Sequence, residues 1–177
     1  NCLANGKIAK NTNFKNIFIG SAPDDSGAAV GAAYWIYNIM LKKKRSYVFN
    51  NNYLGTEYSN EYINKKLDDY KIKYKYIRSP SKKAAELISN GKIIGWFQGK
   101  MEFEDRSLGN RSILADPRLK NIKDRINKSV KYREKFRPFA PSVLDHKVKD
   151  FFEEYQESKF MEKTIKVKIK KRKLIPG

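Results

Sequence analysis

Cysteine and histidine are almost missing from this chain: Cys2 and His146 are the single representatives of each type. One thiol excludes an internal disulfide and a zinc site built on cysteines, and one imidazole excludes paired-histidine metal motifs within these residues. Acidic residues are few, 19 against 38 Lys and Arg, for a net charge of +19. Long apolar runs are absent, and none approaches the roughly 20 residues a membrane span needs. The first residue is Asn1, with no charged segment and apolar run of the leader type behind it. The expectation is a soluble protein in a reducing cytoplasm, with no membrane partner, and an excerpt of a longer chain.

A chain of 177 residues holds one ordinary domain, or one domain and a piece of another. The excess of positive charge suits polyanions such as nucleic acid, acidic lipid or phosphorylated small molecules. Abundant Lys, Asn, Ile and Tyr also fit an AT-rich coding sequence with solvated lysine faces, so the global charge leaves both readings open.

The charge is more informative where it is patterned. Across residues 95–141, Arg106, Arg111, Arg118, Arg133 and Arg137 lie beside Gly99, Gly109, Pro117 and Pro138, residues that shape tight turns. Guanidinium forks fixed beside turning backbone suit a phosphate or carboxylate ligand. Arg106 and Arg111 have a structural alternative, a bridge to Glu102, Glu104 or Asp116.

Taken in order, residues 16–20 read as a short buried strand. A helix follows from a cap at Asp25 or Ser26, Gly/Ala-rich in its first turns and running through Trp35 to Leu41. Residues 46–58 have the Asn/Gly content of a linker and mark a domain boundary. Ser59 starts a second helix, residues 72–76 alternate as a half-exposed strand, and Ser79-Pro80 opens a third helix closed by Asn90-Gly91. Strands are expected at 93–97 and 112–115. Asp116-Pro117 starts a helix with an apolar stripe of Leu119, Ile122, Ile126 and Val130. An irregular edge strand should cover 131–144, a short helix 146–157, and a strand without visible partner the tail from Thr164. Trp35, Trp96, Phe97 and Phe103 are assigned to the core, Cys2 to a small buried position, His146 to a surface helix start and Asp24 to a solvated turn. The order of elements is that of an α/β protein with a mixed sheet.

Three blocks resemble one family: NCLANGKI with SAPDDSGAAVGAA, then GWFQGKMEFEDRSLGNRSILADPR, then KYREKFRPFAPSV. They are similar to the carbamoyltransferases related to nodulation-factor and antibiotic-tailoring enzymes, over nearly the whole chain to about residue 160. The resemblance implies two domains. Residues 1–52 would be the C-terminal end, or edge, of an actin-like ATPase-superfold (ASKHA) domain that transfers a carbamoyl group to a hydroxyl. Residues 53–177 would be a C-terminally incomplete YrdC-like twisted mixed sheet with helices, which forms carbamoyl-adenylate from carbamoyl phosphate and ATP.

It also implies residues and cofactors. Lys131, Arg133 and Arg137 match a Lys/Arg motif that grips phosphates, the catalytic set. Lys100, Arg106 and Arg111 would complete the carbamoyl-phosphate and ATP pocket, and Asn5, in the NCLANG turn, would line a nucleotide or acceptor pocket. Asp25 matches an aspartate that completes a site for a divalent metal, Fe2+ or Mn2+, with histidines outside this chain; Mg2+ would accompany ATP. The acceptor would be a hydroxylated small molecule or sugar. One departure stands out: Glu104-Asp105 replaces a common Gly-Pro before Arg106. The competing readings are a basic RNA- or nucleotide-binding module and an inactive, truncated homologue.

Overall fold

The computed structural model describes residues 1–177, the side chain of Ala9 excepted. It is a small α/β arrangement of short helices around one two-stranded antiparallel sheet. Helix α1 spans Cys2–Asn11, where a turn was expected. Asn1 Oδ1 accepts from the N–H groups of Leu3 and Ala4, at 3.1 and 3.2 Å, which nucleates the helix at its first residue. Gly6 in its middle lies against the backbone of Thr164, so its missing side chain is what lets α1 dock on the chain's C-terminal part.

The expected strand at 16–20 has no pairing partner among the described residues. Helix α2 covers Ser26–Tyr34 and continues as a π-helical stretch, Trp35–Met40. Asp24, read as a solvated turn residue, is the one that organises its start. Its carboxylate accepts from the Ser26 hydroxyl and N–H, and the hydroxyl bond first, then the N–H bond, lowers its pKa. Trp35 is 62% exposed, against the expectation of core, because apart from the contiguous α2 no other element of the chain packs on this segment to any extent. Cys2 is exposed as well.

Helices α3 (Asn60–Asp69) and α4 (Pro80–Ser89) lie where the sequence puts them. Ser59 Oγ accepts from Tyr62 N–H at 3.2 Å to start α3, and α4 ends at Asn90 before Gly91, whose φ of +75° a β-carbon would disfavour. The alternating segment 72–76 forms no strand, since nothing pairs with it. Strands β1 (Ile94–Phe97) and β2 (Arg111–Leu114) pair in the register Ile94 with Leu114 and Phe97 with Arg111. Phe97 is on the exposed side, 49% accessible, and Trp96 and Phe103 are only half-buried, so none of the four aromatics expected in the core is fully buried.

Helix α5 (Ile122–Ile126) starts five residues later than Asp116-Pro117 suggested. Asp116 caps only a turn: it accepts from Arg118 N–H at 2.9 Å and is held by the Arg118 guanidinium. Ile122 and Ile126 are buried as the stripe predicts, whereas Val130 is exposed in the π-helical turn Asn127–Lys131. Residues 132–144 have no regular structure. A 3-10 turn, Asp145–Lys147, leads into α6, Val148–Phe151. The tail does find a partner: Val167 bridges Phe152 in antiparallel sense, Glu153 N–H donates to Lys166 O at 2.9 Å and Lys168 N–H to Phe151 O at 2.8 Å. It then turns through α7 (Ile169–Arg172), and Gly177 N–H donates to Pro117 O.

The interior holds an unusual share of polar groups. The buried apolar side chains are Ala84, Ile122, Ile126 and Phe160; buried polar residues are Ser21, Asn52, Glu102, Asp116, Asn127 and Glu162. Such polar groups are tolerated when they are hydrogen-bonded, and two of them, Glu102 and Asn127, are the centres of the loops that carry the arginines. No helix among the described residues is long and apolar enough to cross a membrane.

Candidate functional site

The basic stretch folds as two loops, each wound on a buried polar side chain. The first, residues 98–110, connects β1 to β2 and is closed by Arg111, the first residue of β2. Its neighbour is the supposed linker: Gly55 N–H donates to Met101 O at 2.8 Å, Met101 N–H to Thr56 O at 3.0 Å and Phe103 N–H to Asn52 O at 2.7 Å. Tyr53 Oη reaches Leu108 O at 2.8 Å. Segment 52–56 is thus a flanking rail for this loop.

At the loop's centre Glu102 is 4% exposed. One carboxylate oxygen accepts from Leu108 N–H at 2.7 Å and Asn110 N–H at 2.9 Å; the other accepts from Arg111 Nε at 3.0 Å. Burial opposes the charge, yet the two N–H groups and the guanidinium outweigh it and hold the pKa at about 2. The loop has therefore built an anion cradle and filled it with its own carboxylate. Arg111 also donates from Nη2 to Glu104 O at 2.8 Å, so this guanidinium ties the loop to β2. Of the alternatives the sequence left open for Arg111, the bridge to Glu102 is formed.

Arg106 is exposed on the rim of the same loop, with Asp24, Asp105 and Glu104 in its electrostatic surroundings. Glu104 occupies backbone with φ of +152°, a region that glycine adopts freely and other residues rarely. Burial raises its pKa; Arg106 pulls it down, and Asp24 and Asp105 push it up. Asn52 Nδ2 is its side-chain partner, at a long 3.5 Å. The Glu104-Asp105 departure thus sits at a position whose geometry asks for glycine. Lys100 is exposed, and its carbonyl accepts from Asn110 Nδ2 at 2.7 Å.

The second loop, residues 127–139, is wound on Asn127, which is fully buried. Its Oδ1 accepts from Arg133 Nε at 2.7 Å, and its Nδ2 donates to Arg137 O at 3.0 Å and Lys135 O at 3.4 Å. Its carbonyl accepts from the N–H groups of Tyr132 and Arg133. The Arg133 guanidinium lies 4.7 Å from the Phe139 ring centroid and donates from Nη2 to Pro138 O at 3.4 Å. Arg137 is exposed, paired with Glu134 at 3.0 Å between two half-exposed side chains, a bridge that competes weakly with solvent or ligand. Lys131 is exposed at the end of the π-helical turn. Lys131, Arg133 and Arg137 therefore come from one short loop, the last two tied to one hub; Lys100, Arg106 and Arg111 belong to the other loop.

The remaining expected site residues lie apart from these loops in the chain. Asn5 is in α1, half-buried, and donates from Nδ2 to Glu162 O at 2.9 Å, so it joins the two ends of the chain. Asp25 precedes α2 without a capping hydrogen bond from its side chain. Among the described residues no group of three or more His, Cys, Asp or Glu is arranged to hold a metal, so Asp25 offers a single carboxylate and no metal site of its own. Asn127 was not legible as a functional position: it reads as one more weak helix former after Ile126. The only signal for it is a small amide at the point where an apolar stripe gives way to an arginine run.

The comparisons with known proteins converge. A family model described as the carbamoyltransferase C-terminus matches residues 85–177, more than half of the chain and both arginine loops; one described as the carbamoyltransferase N-terminus matches residues 1–34. The nodulation protein NolNO of Sinorhizobium fredii is 40% identical over 99% of this chain and 27% of its own length. NolO of Bradyrhizobium diazoefficiens is 41% identical over 86% of the chain and 28% of its own. The 3'-hydroxymethylcephem-O-carbamoyltransferase of Streptomyces clavuligerus is 28% identical over 89% of the chain and 29% of its own. The chain thus spans between a quarter and a third of these relatives. Matched at both of its ends by the two halves of one family description, with the arginine loops inside the larger match, the chain belongs to the carbamoyltransferase family.

Proposed function

We propose that this chain is the part of an O-carbamoyltransferase that forms carbamoyl-adenylate from carbamoyl phosphate and ATP, for transfer of the carbamoyl group to a hydroxyl of a small-molecule or sugar acceptor. The observation that carries the reading is the loop 127–139. Within the family match, it presents Lys131, Arg133 and Arg137 from one short segment held on a buried amide. The cephem enzyme, which the chain resembles over most of its length, is by its name an O-carbamoyltransferase.

Arg133 and Arg137 suit phosphate oxygens because each guanidinium offers a planar fork of donors, and Lys131 adds a mobile point charge. For the step to balance, carbamoyl phosphate gives up its phosphate to water, leaving carbamate, and a carbamate oxygen then attacks the α-phosphorus of ATP as the bond to pyrophosphate breaks. This asks the protein to hold two anionic reactants in line and to offset charge at the phosphate where pyrophosphate departs, which fixed cations do without a covalent intermediate on the protein. Lys100 and Arg106 would contribute from the rim of the other loop. Arg111, held by Glu102, would act there by fixing the loop. Mg2+ would supply further charge neutralisation on ATP. Asp25 would serve a divalent metal, Fe2+ or Mn2+, together with histidines outside this chain, and no step is assigned to it. In this reading residues 1–52 belong to the actin-like transfer domain, with Asn5 near its nucleotide or acceptor pocket, and residues 53–177 to the YrdC-like domain of a cytoplasmic enzyme.

The test uses the complete protein that carries this chain. Pyrophosphate release from ATP should require carbamoyl phosphate and should fall to a small residual rate in Arg133→Ala. If Arg133→Ala retains full release, the site assignment is wrong. If the intact protein releases none and instead shifts RNA at physiological salt, the basic-module reading, which the net charge of +19 favours, replaces this one.

A further inference from the structure

We infer that Asn127 is the positioning residue of the anion loop: its amide sets where the Arg133 guanidinium points and fixes the backbone from which Arg137 projects. This rests on the reading of Arg133 and Arg137 as the phosphate-binding pair.

The geometry is specific to an amide. Asn127 is fully buried and its side chain faces two kinds of partner at once. Its Oδ1 accepts from Arg133 Nε at 2.7 Å, a charge-assisted bond to the one guanidinium nitrogen that lies on the stem side of the fork. Its Nδ2 donates to Arg137 O at 3.0 Å and to Lys135 O at 3.4 Å. A carboxylate of the same shape would keep the first contact and set oxygen against two carbonyl oxygens. An alanine would lose all three contacts and leave two backbone carbonyls without their side-chain donor.

What the hub holds is a conformation the local sequence does not favour by itself. Tyr132, with φ of +47°, reverses the chain out of the π-helical turn, and its N–H and that of Arg133 both return to Asn127 O. Residues 132–139 form no helix or strand that would hold Arg133 and Arg137 in a fixed relation. The Phe139 ring takes one face of the Arg133 guanidinium at 4.7 Å. With Nε engaged by Asn127 and Nη2 directed to Pro138 O, the outer edge at Nη1 has no protein hydrogen bond among the described residues. A guanidinium pinned at stem and face and open at its edge is prepared for an anion.

A double-mutant cycle in the complete protein tests this. ATP- and carbamoyl-phosphate-dependent pyrophosphate release is measured for Asn127→Ala, Arg133→Ala and the double variant. Asn127→Ala should lower kcat/KM for ATP by about 10- to 100-fold, the scale of a misplaced positioning contact. In the Arg133→Ala background the same substitution should cost clearly less than it does in the native protein, because the part of its effect that passes through Arg133 is gone and only the part that passes through the Arg137 backbone remains. Multiplicative losses in the cycle, or an Asn127→Ala protein with unchanged kcat/KM, overturn the inference. Should Asn127→Ala fail to fold, Asn127→Asp keeps size and the Arg133 contact. It should retain the Arg133 dependence while losing affinity for ATP through the displaced Arg137 backbone, and an unchanged KM for ATP in that variant is equally fatal. If Arg133→Ala is itself fully active, the underlying assignment of the anion site fails instead, which separates the two outcomes.

Discussion

Replacing Glu102 by glutamine puts the first arginine loop to a quantitative test. The carboxylate has an ordinary pKa of 4.5 and is held at about 2 in the fold. Because the folded state binds the proton less readily than the unfolded chain, the group stabilises the fold fully above about pH 5. That contribution is lost as pH falls from 4.5 towards 2. It amounts to about 3 kcal/mol for a side chain this deeply buried. Glutamine keeps the shape but cannot carry the charge, and one end of its amide sets N–H donors against Leu108 N–H and Asn110 N–H or against Arg111 Nε. That mismatch adds about 1–3 kcal/mol at every pH. Amide hydrogen exchange at Leu108 and Asn110, with urea denaturation at pH 7, 5 and 3, reads both terms. The expected result is a stability gap between the native chain and Glu102→Gln that is widest at pH 7 and has lost about 2 kcal/mol by pH 3, where Glu102 is protonated in the unfolded chain and still ionised in the fold. A gap of the same size at pH 7 and pH 3 would refute the view that the cradle binds a charge.

Two further substitutions probe the fold around the site. Glu104→Gly should raise stability by about 1–2 kcal/mol at pH 7, since it removes a non-glycine residue from φ of +152° and a carboxylate whose charged form burial disfavours. Thermal unfolding checks it, and a lowered Tm would show that the long Asn52 contact matters more than the backbone. Gly6→Ala should destabilise by about 1–3 kcal/mol, because the added methyl meets Thr164 O where α1 docks on the tail. Trypsin should then cut faster after Lys7 and Lys10; unchanged cutting would mean that α1 is not held by this contact.

The elements that were legible are those whose signals are local. Ser59 as a cap, Pro80 at a helix start, Asn90-Gly91 at a helix end and the apolar runs of β1 and β2 each act within a few residues, and the structure has them. The segments that were misread needed a partner to decide them. Residues 72–76 alternate like a strand and pair with nothing, whereas the tail looked partnerless and pairs with residues 151–153. Periodicity describes a face, and only the presence of another surface turns that face into a strand or a core position; Trp35 and Phe97 are exposed for the same reason.

The arginines and their turns, and the resemblance of three blocks to the carbamoyltransferases, are properties of the sequence alone. They determined the family and the chemical character of the site, because residue type decides what a guanidinium or a lysine can bind. Which arginine is open to a ligand was decided by tertiary structure. Arg111 and Arg133 are the same residue type in similar Gly- and Pro-rich company. Yet one is turned inward onto a buried carboxylate, while the other is gripped at its stem by a buried amide, with Nη1 left open at its outer edge. A charge's partners are set by residues brought to it in space, here Glu102 nine positions before Arg111 and Asn127 six before Arg133, and no pattern in the sequence ranks such neighbours against water.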